Sequence, residues 1–262
     1  MSLITSFNIF DIYNHRSRFN GIKDELNDII RRTESPLPVE DRFFHAHQGS
    51  IKFPDAYALK KIIRKTQPKT VLEVGSFLGF STRWILETSA PFGSTVTAVD
   101  PNIRHRVFDN PRSFVEGLNR SHYPERLEIV TGFFGPYDDG IYYDYETYEP
   151  SRSRSDVNEL IRDREIVGAD WGRKFDFIFI DGDHKYESVM SNFEIARNLL
   201  NKGGCIVFHD ALSWPDVTRA LNDLKESYGN RAYVAIFGAA DRKVLSWFQI
   251  RNDGLGLFKP LS

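Results

Sequence analysis

Apolar and polar positions along this chain follow two periods. Short runs dense in Val, Ile, Leu and Phe recur at 70–74, 95–99, 127–131, 175–180, 205–208, 232–237 and 244–250. Runs of that length, rich in β-branched and aromatic residues and closed by Gly, Asp or Pro, predict strands. Between them, apolar residues at three- and four-residue spacing predict helices over 55–65, 81–88, 113–119, 187–200 and 217–228. Asn201-Lys202-Gly203-Gly204 supplies a helix stop after the fourth. Strands alternating with helices predict an α/β fold with a doubly wound, mostly parallel sheet. The runs 232–237 and 244–250 are expected to close it as a hairpin-like pair.

Two stretches fall outside this rhythm. Residues 1–66 read as an N-terminal helical extension, broken at Ser35-Pro36-Leu37-Pro38, and 67–262 as the main domain. Extensions of this kind cover a cofactor or pair subunits, which makes a homo-oligomer one expectation. Residues 134–172 interrupt the alternation with Tyr137, Tyr142, Tyr143, Tyr145 and Tyr148, then a Ser/Arg alternation from Ser151 to Ser155. A connection that long, leaving the carboxyl end of a strand, predicts a lid over the acceptor.

Composition narrows the class. With 41% hydrophobic and 27% charged residues, the chain has the balance of a soluble globular protein. A net charge of −2 provides no overall basic field for nucleic acid or anionic lipid, so neither is an expected partner. Cys205 is the one cysteine, set in an apolar strand, so no intrachain disulfide is available and a reducing cytoplasm is expected. No signal peptide or membrane span is evident in the sequence.

The run Val71-Leu72-Glu73-Val74-Gly75 ends a strand in an acid and a glycine, and Gly79 follows before a helix begins near Phe80. Glycines accept positive φ and let a ligand lie against the main chain, while the helix start offers free N–H groups. At the carboxyl end of a parallel strand this is a nucleotide-type cofactor loop. The spacing is E-x-G-x-x-x-G, and the dinucleotide fingerprint G-x-G-x-x-G is absent. Asp100 ends the next strand, where an acid can accept ribose hydroxyls. The last two motifs are Asp181-Gly182-Asp183-His184 and Phe208-His209-Asp210, at the ends of two strands expected to be neighbours. Their carboxylates and imidazoles can converge, as a divalent-cation shell or as a general base. An ordinary turn with a helix cap is the competing reading of Asp-Gly-Asp. His45 and His47 would share a face in an extended segment, and Trp214 could wall a pocket.

Three motifs together, E-V-G-S-x-x-G-x-S-T from Glu73, D-G-D-H-x-Y from Asp181 and G-G-x-I-x-x-H-D from Gly203, resemble the class I S-adenosylmethionine-dependent methyltransferases of the methyltransferase 24 type. That group is related to metal-dependent sugar and catechol O-methyltransferases and to cephalosporin hydroxylase-like proteins. The resemblance implies a Rossmann-like, seven-stranded sheet whose last strand is antiparallel. It implies S-adenosylmethionine held by Glu73, Gly75, Ser76, Gly79, Ser81, Asp100, Gly132, Phe133 and Asp181. It also implies a divalent metal (Mg²⁺, Mn²⁺ or Fe²⁺) on Asp181, His209 and Asp210. The proton acceptor maps to Asp183 by analogy with the sugar enzymes and to His184 by analogy with the catechol enzymes. His209 stands where the sugar enzymes carry an acid, and Ala211 where the catechol pattern has asparagine.

The expected function is therefore O-methylation of a small-molecule or saccharide acceptor. A metal-dependent hydroxylase on the same scaffold and a non-catalytic ligand-binding protein are the alternatives. A NAD-dependent dehydrogenase is disfavoured by the missing glycine, and nucleic-acid methylation by the absence of its D/N-P-P-Y/F motif.

Overall fold

The computed structural model describes residues 9–103, 105–135, 164–238 and 252–261. Three helices come first: α1 (Ile9–Arg32), α2 (Val39–Gln48) and α3 (Phe53–Thr66). Then follow β1 (Thr70–Val74), α4 (Phe80–Ser89), β2 (Thr95–Asp100), α5 (Pro111–Asn119), β3 (Leu127–Phe134) and β4 (Glu165–Val167). The chain continues through β5 (Phe175–Ile180), α6 (Tyr186–Leu199), β6 (Leu200–Phe208), α7 (Pro215–Tyr228), β7 (Ala232–Phe237) and β8 (Leu255–Pro260).

The strands form one sheet in the order β4-β3-β2-β1-β5-β6-β8-β7. Strand β8 runs antiparallel to both its neighbours, and the other pairings are parallel. The order reverses at β1, so the carboxyl ends of β1, β2 and β5 open the crevice where α/β sheets bind ligands.

The sheet has eight strands rather than the expected seven. The addition is β4, three residues that extend the edge beside the end of β3. Most of the expected lid, residues 136–163, lies outside the described residues. The partner of β7 is 255–260 rather than 244–250, and the latter residues are also outside the described set. Gly256 inside that strand and Gly254 just before it disguise it, because glycine weakens the strand pattern. Their reason is packing: a Cβ on either would collide with Leu212 or Leu221. Asn201–Gly204, read as a helix stop, does follow the last helical residue, yet it is already part of β6, where the register slips between Phe175 and Phe177 of β5.

Side chains alternate across the strands and fill two layers. Val71, Phe177, Phe179, Cys205 and Val207 face α1, α3, α4 and α5. Leu72, Val74, Ile178, Ile180, Ile206 and Phe208 face α6 and α7. Burial on both faces explains why the central strands are apolar throughout. Cys205 is a core residue whose thiol burial pushes up to about 12, which makes it unreactive.

The N-terminal helices are built into the first layer. Ile22, Leu26 and Ile30 of α1 and Ala46 of α2 pack in the same cluster as Trp84, Val115 and Phe177. Trp84 donates its indole N–H to the Ala56 carbonyl of α3 at 2.6 Å. Buried Arg42 of α2 donates to the carbonyls of Ile30 (2.7 Å) and Thr33 (2.8 Å), satisfying the end of α1. No helix among the described residues is long and apolar enough to cross a membrane.

Arg83 of α4 knots three helices. Its guanidinium reaches Glu87 (2.9 Å), the Leu118 carbonyl of α5 (2.6 Å) and Glu25 of α1 (3.4 Å). Arg83 and Glu87 side chains are 4% and 9% exposed, so removing one leaves a buried charge. Arg83→Met is expected to cost about 3 kcal/mol, the low end for a broken buried pair because Arg18 still reaches Glu87. Denaturant unfolding of the two proteins measures it, and a change below about 1 kcal/mol would contradict this role.

Candidate functional site

Three adjacent strands run on by one residue each into the loops of the site. Gly75 N–H donates to the Val99 carbonyl (2.9 Å), Asp181 N–H to Val74 (2.8 Å) and His209 N–H to Ile180 (2.9 Å). The main chains are so close that a Cβ on Gly75, at φ +82°, would overlap the Asp181 carbonyl. Gly79, at φ +81°, is constrained differently. A Cβ there would lie 2.8 Å from Val115 Cα, and Asn119 of α5 donates to its carbonyl at 3.1 Å. The first glycine thus fits the loop to β5, and the second fits helix α4 to α5.

Asp100 holds the loop in shape. Its Oδ2 accepts the N–H groups of Ser76 (3.0 Å) and Phe77 (3.1 Å), and Oδ1 accepts that of Asn102 (2.9 Å). Three of about four lone-pair positions on the carboxylate are used, which leaves about one for a ligand hydroxyl. Burial raises its pKa, with the three N–H groups opposing.

Glu73 lies beneath the loop, on the same strand face as Val71 and fully buried. Neither carboxyl oxygen makes a hydrogen bond. Burial pushes its pKa to about 8. The Ser81 and Thr82 hydroxyls, in the first turn of α4, oppose this by favouring the charged form, but they do not reach it with hydrogen-bond geometry. Ser76 Oγ is likewise buried without a partner. Buried polar atoms in native proteins are normally satisfied, so an unsatisfied pair under a glycine loop suits a ligand with polar groups.

Gly132 and Phe133 sit on β3 beside β4, paired with Glu165 and Ile166. A Cβ on Gly132 would come within 2.5 Å of the Glu165 carbonyl, so strand packing alone explains that glycine.

The acid and histidine motifs do converge. His184 Nε2 lies 2.7 Å from Asp210 Oδ2, and His209 Nδ1 lies 3.1 Å from Asp181 Oδ1 and 3.3 Å from Asp210 Oδ2. Asp181, His184 and Asp210 each offer a ligand atom within 4.8 Å of the others. The His184 ring stacks on Trp214, with centroids 4.7 Å apart and planes 5° from parallel. Asp210 holds φ +59°, a left-handed conformation that carries strain outside glycine and concentrates at functional sites. Ser213 Oγ donates to its Oδ1 at 2.6 Å.

Electrostatics follow from these contacts. Burial disfavours a charge on His184, but the hydrogen bond and charge of Asp210 outweigh it and raise its pKa. His209 is raised well above the ordinary imidazole value by Asp181 and Asp210, again against burial. Burial pulls Asp210 upward, and the two imidazoles hold it well below the usual carboxylate range.

Asp183 is not brought into this group. It is exposed and accepts the Ser188 hydroxyl at 2.7 Å, in the first turn of α6. His45 and His47 lie on helix α2, where residues two apart do not share a face. Burial pushes His47 down to about 4. Asp55 and Asp253, which no sequence motif marks, stand behind His209. Asp55 accepts the N–H groups of Asp253 (2.8 Å) and Gly254 (3.1 Å). Their sequence context, a helix start and a turn, carries no signal of that burial.

A family model described as "Methyltransferase domain", of the 24 type, matches residues 72–211, more than half of the chain. An uncharacterised protein of Acanthamoeba polyphaga mimivirus is 42% identical over 52 residues, 19% of this chain and 24% of that protein. The match spans about a quarter of the viral protein's length. Among solved structures, the SAH-bound methyltransferase of Podospora anserina superposes with a TM-score of 0.54 at 13% identity, covering 100% of both chains. A putative caffeoyl-CoA O-methyltransferase from Staphylococcus aureus gives 0.51 at 16%, covering 91% of this chain and 99% of that one. The O-methyltransferase from Bacillus cereus in complex with SAH gives 0.50 at 16%, covering 92% and 91%. At such identities the likeness is one of fold.

Glu73 generates a pH test. Unfolded, the carboxyl titrates near 4.5, and folded near 8. Between those values the folded chain keeps a proton that the unfolded chain has lost, so stability falls as pH rises, by about 1.4 kcal/mol per unit. Glu73→Gln keeps the shape and removes the titration. Its melting temperature is expected to decline less than that of the wild type between about pH 5 and 8. Parallel declines would contradict a protonated Glu73.

Proposed function

This chain belongs to the methyltransferase-domain family, and from that premise we propose that it transfers a methyl group from S-adenosylmethionine to a hydroxyl of a small-molecule or sugar acceptor. The observation that carries the reading is the His184–Asp210 pair beside the glycine loop. Two of the solved relatives are complexes with SAH, which supports the cofactor. S-adenosylmethionine would supply an electrophilic methyl on a sulfonium sulfur. The loop 75–79, Glu73, Ser76, Ser81 and Asp100 would hold it, with Asp181 at its methionine end.

An alcohol's pKa is far above neutrality, so its proton needs an acceptor as the bond forms. Asp210 takes the Nε2–H of His184, which fixes the tautomer and leaves the Nδ1 lone pair for that proton. His184 would take the proton of the acceptor hydroxyl as the methyl passes from the sulfonium sulfur to that oxygen, with the sulfur keeping the electron pair of the broken bond. Stacking on Trp214 holds the imidazole plane. Asp183 would act only at a distance, through the start of α6.

A second reading puts a divalent ion, Mg²⁺, Mn²⁺ or Fe²⁺, on Asp181, His184 and Asp210. It is favoured by their ligand atoms lying within 4.8 Å and by a donor set of two carboxylates and one imidazole. Such an ion would lower the pKa of the acceptor hydroxyl. His209, expected in that set, is the less suited member because its Nδ1 contacts are those of a hydrogen-bond donor to both carboxylates. A hydroxylase built on the same three groups would yield an oxidised product and no SAH.

Calorimetry with SAH and release of SAH across a panel of hydroxylated acceptors test the function; absence of both would overturn it. His184→Ala is expected to lose about 10²–10⁴-fold in kcat while keeping cofactor affinity. In Asp210→Asn the larger raising influence is gone while burial remains and only Asp181 still opposes it, so the acidic limb of the pH–rate profile is expected to move to lower pH. An unmoved limb would exclude His184 as the base.

A further inference from the structure

Behind the methyl-transfer site lies a second constellation that the proposed chemistry does not use. One ring nitrogen of His209 and one carboxylate oxygen each from Asp55 and Asp253 lie within 4.8 Å of one another, and all three residues are buried. They come from the first turn of α3, the end of β6 and the turn before β8. Each oxygen of Asp55 accepts one backbone N–H, which leaves a lone pair on each.

His209 is 6% exposed, and its Nε2, 4.0 Å from Asp55 Oδ2, makes no hydrogen bond. Its Nδ1 faces Asp181 and Asp210. Metal-binding imidazoles are held in this way: one nitrogen donates to a carboxylate, which turns the other's lone pair toward the ion. Two ligands about 2.0–2.2 Å from a tetrahedral ion stand about 3.3–3.6 Å apart, so the 4.0 Å between Nε2 and Asp55 Oδ2 would close by about half an ångström on binding. With no ion bound, the raised pKa of His209 keeps a proton on Nε2 beside Asp55, and a bound cation would replace that proton.

The geometry points to a structural divalent-metal site formed by His209 Nε2 with the carboxylates of Asp55 and Asp253, in which Asp181 orients the imidazole. A nitrogen with two carboxylates favours Zn²⁺ or Mn²⁺ over the all-oxygen preference of Ca²⁺. The ion would tie α3 to β6 and to the approach of β8, on the side of His209 away from Asp181.

The test uses the full chain, stripped with chelator, and Zn²⁺ or Mn²⁺ alone as probe, with no cofactor or acceptor. Calorimetry and melting temperature are read for each variant. The wild type is expected to bind one equivalent and melt higher with metal. Asp253→Asn is expected to lose at least about 100-fold in metal affinity, and Asp181→Asn about 10-fold, the effect of removing an orienting carboxylate. His184→Ala keeps wild-type affinity. Asp55→Asn is the second probe of the ligand set, since its amide oxygen can still accept a backbone N–H. Two results overturn the site. One is a wild type that binds neither metal, which leaves a proton on Nε2. The other is affinity lost in His184→Ala and kept in Asp253→Asn, which assigns the ion to Asp181, His184 and Asp210.

Discussion

The contact on which this site depends is between two main chains. Gly75 lies against the Asp181 carbonyl with no space for a side chain, where β1 and β5 outrun the sheet by one residue. Because the strands are parallel and in register, this approach fixes where the glycine loop ends, where Asp181 begins, and how far the loop stands from β6. Asp100 completes the arrangement from the other side by gathering the N–H groups of Ser76 and Phe77. Methyl transfer is an in-line displacement whose geometry tolerates little error. A scaffold that sets the loop against the acid–imidazole group through backbone contacts, rather than through long side chains, meets that need.

The two-layer alternation decides which polar residues end up where. On β1, β5 and β6 the positions of Glu73, Asp181 and His209 continue the face that carries Val71, Phe179 and Val207. That face is covered by α3, which brings Asp55 behind His209. The same parity directs Glu73 into an apolar layer, where its carboxyl meets no hydrogen-bond partner. Stability and site chemistry therefore share one surface of the sheet, and the N-terminal helices that cover it cannot be separated from the domain they precede.

Most of the frame was legible in the sequence because its signals are local. The strand runs at 70–74, 95–99 and 175–180 and the helical periods at 81–88 and 217–228 appear within two residues of their predicted bounds, and 205–208 is the carboxyl part of a longer β6. The pairing of Asp181 with His209 was legible too, because neighbouring parallel strands deliver their ends together. What stayed hidden was set by tertiary packing. Strand β8 carries Gly256 and is preceded by Gly254, which leave space for Leu221 and Leu212, contacts no local pattern reveals. Asp55 reads as an ordinary helix-start acid until the fold places it against Asp253, 198 residues away along the chain. Asp183 shows the converse: a motif position beside His184 that the first turn of α6 draws outward to Ser188.

The stack of Trp214 on His184 has an optical consequence. An indole lying parallel to an imidazole at 4.7 Å loses excited-state energy to that ring when the ring carries a proton. Of the other tryptophans, Trp84 is buried in the core and Trp171 stacks on Phe175, so neither touches an ionising ring of the site, and Trp247 lies outside the described residues. Emission from Trp214, 40% exposed, is therefore expected to report the charge on the His184 imidazole.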